Sequence, residues 1–186
     1  MPFPSSIALD SPRLRLSHLT DADAEALFAI QSDPLVMRYW NHAPWTDVGQ
    51  ARDAIAADHL ARAAGQALRL GIREKAGARL IGTCLVFAFE AGSRRAELGY
   101  NLASHAQGKG FMHEALDCLV AHLFDEWGLL RLEAEIDPRN GPSAKVLERL
   151  GFQQEGLLRQ RWIVEGEVSD SALFGLLAGE FHARNA

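Results

Sequence analysis

The chain has 186 residues, the size of one domain. Its 48% hydrophobic and 23% charged residues supply enough apolar side chain to offset the cost of ordering the chain, which excludes a mainly disordered state. Lys and Arg number 19 against 24 Asp and Glu, and the resulting net charge of −5 disfavours a nucleic-acid binder. No apolar run reaches the roughly 18 residues needed to cross a bilayer. Met1 to Asp10 lacks the basic-then-apolar pattern of a signal peptide, so the expectation is a cytoplasmic protein with no membrane partner. Cys84 and Cys118 lack metal-ligand or disulfide-framework spacing and sit in apolar runs, so both read as buried free thiols.

Arg13 to Leu19 alternates as a first strand. Thr20 and Asp23 form a helix-start signal, and the helix carrying Leu27, Phe28 and Ile30 stops before Asp33-Pro34. Met37 to Trp45 has no clean period and reads as an aromatic-rich loop. Its rings, Tyr39, Trp40 and Trp45, either pin the loop to the core or form a substrate-binding rim. Thr46-Asp47 opens an Ala-rich helix ending near Gly65. Leu68 to Arg73, Leu80 to Phe89 and Ala96 to Leu102 read as three strands with turns between them, and Glu97 lies on the face opposite Leu98 and Tyr100.

Phe111 to Trp127 is the clearest helix. Phe111/Met112, Ala115/Leu116, Leu119/Val120 and Leu123/Phe124 recur as a core-facing stripe, whereas His113, Glu114, Asp117 and His122 read as a solvated face. A strand around Leu132 to Ile136, a helix over Ser143 to Leu150 closed by Gly151, and strands Phe152 to Val164 and Val168 to Leu177 complete the chain. The order is β-α-α-β-β-β-α-β-α-β-β. Hairpins make most neighbours antiparallel, and the strand–helix–strand step around the long helix demands one parallel pair. The expected fold is α/β (or α+β): a single domain over 1–186, core about 13–177, with a mixed sheet and helices on both faces.

Gln107-Gly108-Lys109-Gly110-Phe111-Met112 separates the third of these strands from the long helix. Glycines permit a tight turn and a close ligand approach, and the helix start offers unpaired N–H groups. The combination suits an anion such as a pyrophosphate, although a Gly-x-Gly pair also serves simple packing. It is neither a nucleoside-triphosphate P-loop nor a dinucleotide fingerprint.

This loop resembles the coenzyme loop Gln/Arg-x-x-Gly-x-Gly/Ala of the GNAT superfamily of acetyl-coenzyme-A-dependent N-acetyltransferases at Gln107 and Gly110, with Met112 departing at the last position. Asn140-Gly-Pro-Ser143 followed by Leu147 to Phe152 resembles the second conserved block, and Ala96-Glu97-Leu98-Gly99-Tyr100 completes the pattern. The combination is similar to the branch of ribosomal-protein N-terminal acetyltransferases. The resemblance implies that backbone N–H groups of Gly108, Lys109, Gly110, Phe111 and Met112 hold the pyrophosphate of acetyl-coenzyme A. It implies that Leu102 and Ala103, at a splayed strand end, pair with the pantetheine arm, and that Asn140 meets the cofactor near its thiol.

Acetyl transfer needs a proton acceptor for the amine, and Glu97 is the candidate; its alternative is a structural role within the sheet. Many superfamily members place a thiolate-protonating tyrosine where this chain has Leu147. Ser143 is the nearest replacement, or else a helix-start residue. Glu133 and Glu135 read as solvation, and His105 as a surface residue with the adenosine phosphates as its alternative partner. No His-Glu-x-x-His or nucleophile-elbow motif is present, so zinc and hydrolase chemistry have no support. The expected activity is acetyl transfer to a primary amine, either a protein N-terminus or a small molecule. The competing class is a non-catalytic acyl-coenzyme A sensor, and the C-terminal hairpin leaves room for a homodimer.

Overall fold

The computed structural model describes Phe3 and residues 7–184; the other terminal residues, on which part of the N-terminal reading rests, lie outside it. Eight strands form one sheet in the order β1-β2-β3-β4-β5-β6-β8-β7. They are β1 (Ala8–Asp10), β2 (Leu14–Ser17), β3 (Leu68–Glu74), β4 (Leu80–Glu90), β5 (Arg95–Leu102), β6 (Arg131–Ile136), β7 (Gln153–Val164) and β8 (Glu167–Leu177). Every neighbouring pair is antiparallel except β5 and β6, which run parallel. The intervening α4 (Phe111–Asp125) supplies the crossover that a parallel pair requires. This is the mixed α/β sheet expected from the element order.

The helices flank the sheet. α1 (Ala24–Gln31) packs on α3 (Val48–Ala63) and on β4, while α4 packs on β1, β2 and α5 (Gly141–Leu150). The whole predicted stripe of α4, from Phe111 and Met112 to Leu123 and Phe124, is buried. Burying each such large apolar side chain contributes about 1.5–3 kcal/mol before ordering costs. Local chemistry sets the helix boundaries. The Thr20 N–H donates to Asp23 Oδ2 at 2.7 Å ahead of α1, and the Gly49 N–H to Asp47 Oδ1 at 2.6 Å at the start of α3. Gly151, at φ +96°, closes α5 in the left-handed region.

Three elements were not foreseen: β1, the single-turn helix α2 (Pro34–Met37), and α6 (Ala178–Arg184). Asp33-Pro34 ends α1 as expected but also starts α2, where Asp33 Oδ1 accepts the Leu35 N–H at 2.9 Å. The polar side of α4 is only partly solvated. Glu114, 15% exposed, accepts from Ser11 Oγ and the Arg13 N–H at 2.7 Å each, and from Arg13 Nε at 2.6 Å. Cys84 is buried as expected, but Cys118 is only half-buried. Among the described residues, no helix is long and apolar enough to cross a membrane.

Candidate active site

The parallel pair is short. β5 and β6 are in register from Arg95–Arg131 to Leu98–Ala134 and no further. Beyond that point β5 stays on β4 as far as Leu102, and β6 stays on β8 through Glu135 and Ile136. The two strands therefore part after Leu98 and Ala134, and a cavity of about 840 Å3 opens at the split. Glu97, Leu98, Gly99 and Tyr100 line it from β5, Glu135 and Ile136 from β6, and Asn140 and Ser143 from the start of α5.

The backbone at the end of β5 is partly committed. The Ala103 N–H donates to the Ile81 carbonyl of β4 at 2.8 Å, so it cannot serve a ligand on the β6 side as the resemblance implied. Alternation along an antiparallel ladder then turns the backbone groups of Tyr100 and Leu102 toward the side that β6 has vacated. From that side Gln107 Nε2 donates to the Leu102 carbonyl at 3.0 Å, a bond that ties the loop to the strand end.

In the loop itself Gly108 and Gly110 adopt φ +74° and +77°, which a side chain would strain. The Gly110 carbonyl accepts from the Glu114 N–H at 3.1 Å, which opens the helical ladder. Among the described residues, the N–H groups of Gly108, Lys109, Gly110, Phe111 and Met112 have no protein acceptor. They lie at the positive end of a 15-residue helix. The Met112 side chain turns into the core, 8% exposed, so its bulk does not obstruct the loop. Arg13, which carries no local sequence signal, braces this end: its Nη1 donates to the Lys109 carbonyl at 3.0 Å and its guanidinium lies 4.5 Å over the Phe111 ring. His105 is exposed.

Glu97 is half-buried, and its carboxyl makes no hydrogen bond or ion pair among the described residues. Burial pushes its carboxyl above the ordinary range, and the nearby Glu135 and Glu133 push it the same way. Those two were expected to be solvating residues; both are instead engaged. Glu133 pairs with Arg95 and Arg131 at 2.8 Å each. Glu135, 15% exposed, accepts from Trp162 Nε1 at 2.8 Å and pairs with Arg161 at 3.3 Å. Glu97 is thus the carboxyl that its neighbours leave unpartnered.

At α5 the cap is Asn140, whose Oδ1 accepts the Ser143 N–H at 3.2 Å. Ser143 is therefore not the capping side chain. Its Oγ lies 2.7 Å from the Tyr100 hydroxyl instead. Leu147, one turn along, is fully buried. Tyr39 and Trp40 line the cavity, with the guanidinium carbons of Arg38 and Arg139 at 5.2 Å and 5.8 Å from the Tyr39 ring centroid. Trp45 does not line it. It packs against the core, and its N–H donates to the Gln31 carbonyl at 3.0 Å, which removes it from the expected rim.

The acetyltransferase (GNAT) domain model matches residues 13–153, three-quarters of the chain, including Glu97, the 107–112 loop and the start of α5. The chain belongs to the GNAT acetyltransferase family. It is 40% identical over 173 residues to a Bacillus licheniformis protein described as the uncharacterized N-acetyltransferase p20, covering 93% of this chain and 97% of that one. It is 34% identical over 79 residues to the ribosomal protein uS5-alanine N-acetyltransferase of Escherichia coli, covering 42% of this chain and 41% of that enzyme. The fold superimposes on Mycobacterium smegmatis RimJ, solved in complex with coenzyme A-disulfide, with a TM-score of 0.82 at 24% identity over 97% of this chain and 94% of that one. The protein is an acetyl-coenzyme-A-dependent N-acetyltransferase.

Proposed function

We propose that this acetyltransferase acetylates the N-terminal amine of a protein or peptide. The unpartnered, half-buried carboxyl of Glu97 at the strand split carries this reading. A buried carboxyl without a partner costs stability, and such groups are kept where chemistry needs them. A domain that only sensed acyl-coenzyme A would have no use for it. The raised proton affinity of Glu97 makes it a better base than an ordinary carboxylate while leaving it able to ionise.

Each part of the donor has a matching feature. The unpaired N–H groups of residues 108 to 112 suit the pyrophosphate, and the open edge of β5 at Tyr100 and Leu102 suits an extended pantetheine arm. The acceptor amine enters from the side of Tyr39, Trp40 and Trp162, and Glu97 takes its proton as nitrogen attacks the thioester carbonyl. The C–N bond forms and the C–S bond breaks, leaving the electron pair on sulfur. Ser143 Oγ–H donates a hydrogen bond to that sulfur, which takes its proton from solvent on release. The relative named as a ribosomal-protein alanine N-acetyltransferase supports a protein or peptide acceptor. A thiol-release assay with acetyl-coenzyme A against N-terminal peptides, polyamines, amino acids and aminoglycosides tests it. Peptides should give the highest kcat/KM; a small amine exceeding every peptide overturns the acceptor class.

A further inference from the structure

The family's usual tyrosine position holds a buried leucine, yet a phenol still reaches this part of the site from another element. Tyr100 projects from β5 and lies 2.7 Å from Ser143 Oγ, with the Ser143 carbonyl at 3.5 Å. Both residues line the cavity at the strand split. The phenol has one proton and two acceptors within reach, both belonging to Ser143. Either hydroxyl can donate across the shorter contact; with Tyr100 as the donor, Ser143 Oγ accepts. Ser143 then keeps its own hydroxyl proton, and no described residue accepts it. That proton is left for a group entering the cavity.

We propose that Tyr100 is a positioning residue for acetyl transfer: its hydroxyl donates to Ser143 Oγ and so aims the Ser143 O–H into the cavity, toward the leaving sulfur. This rests on the role of Ser143 given above. The arrangement strengthens Ser143 as a donor, because a hydroxyl that accepts a hydrogen bond is polarised toward giving its own. Burial pushes the Tyr100 phenol upward and keeps it protonated across the working pH range. The geometry also accounts for the tolerance of leucine at position 147. The hydroxyl that another family member would place on the helix is supplied here through strand β5, two side chains in series.

A double-mutant cycle tests it. Tyr100→Phe keeps the ring and removes the hydroxyl, and the loss of one neutral hydrogen bond to the donor should lower kcat about three- to tenfold. KM for acetyl-coenzyme A should stay within about twofold, since the bond to sulfur strengthens only as charge develops. Ser143→Ala should lower kcat by about tenfold or more. The Tyr100→Phe/Ser143→Ala double variant should match Ser143→Ala alone, because Tyr100 acts only through that oxygen. Ser143→Thr, which keeps a hydroxyl, should restore the sensitivity to Tyr100→Phe. Multiplicative losses, or a Tyr100→Phe loss seen in melting temperature and KM with kcat intact, would overturn the proposal. A silent Tyr100→Phe beside a damaged Ser143→Ala removes Tyr100 alone; a silent Ser143→Ala removes the role of Ser143 and this inference with it.

Discussion

Replacing Glu97 with glutamine separates chemistry from structure unusually well here. The carboxyl makes no hydrogen bond or ion pair among the described residues, so Glu97→Gln breaks none. Its shape is retained, and what disappears is a proton acceptor. General-base catalysis contributes about 10²–10⁴-fold, which sets the expected fall in kcat, while coenzyme A affinity should change by less than about threefold. Stability should move the other way. Burial, reinforced by Glu135 and Glu133, raises the carboxyl above its ordinary value of 4.5 in the folded chain. Folding therefore favours the protonated form: that stabilisation is complete below the unfolded pKa and is lost as pH rises through the folded one. At neutral pH the ionised group carries a burial cost, and the glutamine variant should melt at the same temperature as the parent or higher. The acid limb of kcat/KM should centre above the ordinary carboxylate value in the parent and vanish in the variant. Turnover within about twofold of the parent, on the same pH profile, would refute the assignment of Glu97 as base.

Gly110→Trp should abolish coenzyme A binding by calorimetry while leaving a folded protein, since φ +77° costs a non-glycine residue only about 1–2 kcal/mol and a Cβ there meets only Arg13, at 3.5 Å. Asn140→Ala should cost about 1 kcal/mol through loss of the α5 cap, or about 2–4 °C in melting temperature. Asn140→Asp keeps the capping acceptor and removes the amide donor, so a loss of acetyl-coenzyme A affinity at unchanged stability would locate the cofactor contact on that amide. Leu147→Tyr should not restore a catalytic tyrosine: position 147 is fully buried, and overpacking should cost about 1–3 kcal/mol, read as a lower denaturant midpoint.

What the sequence made legible were features carried by a period or a backbone constraint. The α4 stripe, the alternation of β3 and β5 and the glycine turn before α4 are local signals, each carried within one continuous stretch of chain. The one parallel pair followed from connection length alone, because a strand–helix–strand step cannot form a hairpin. Of the three missed elements, β1 with three residues and α2 with four are too short to show a period, and α6 with seven makes only about two turns. Trp45 stays ambiguous between core and rim for a related reason. An aromatic residue in an aperiodic loop gives no direction, so Tyr39 and Trp40, which line the cavity, look the same in sequence as Trp45, which packs on the core.

The site residues that escaped detection depend on pairings between distant segments. Arg13 reaches Lys109 and Glu114 across about a hundred positions, and Glu135 is recognised as a site residue only once Trp162 is seen donating to it. Tyr100 is the sharper case. Alternation placed it with Ala96, Leu98 and Leu102, and as a member of that apolar face it had no distinct function. Ser143, 43 positions on, had two possible roles at a helix start. Neither residue alone indicates which role holds. The strand split sets both against the same cavity, and the Asn140 side chain then takes the cap, freeing the Ser143 hydroxyl. Once the cap is assigned elsewhere, the 2.7 Å contact to Tyr100 is what remains for the Ser143 hydroxyl, and the proposed direction of that bond, from Tyr100 to Ser143, is what would turn the serine proton toward the cavity.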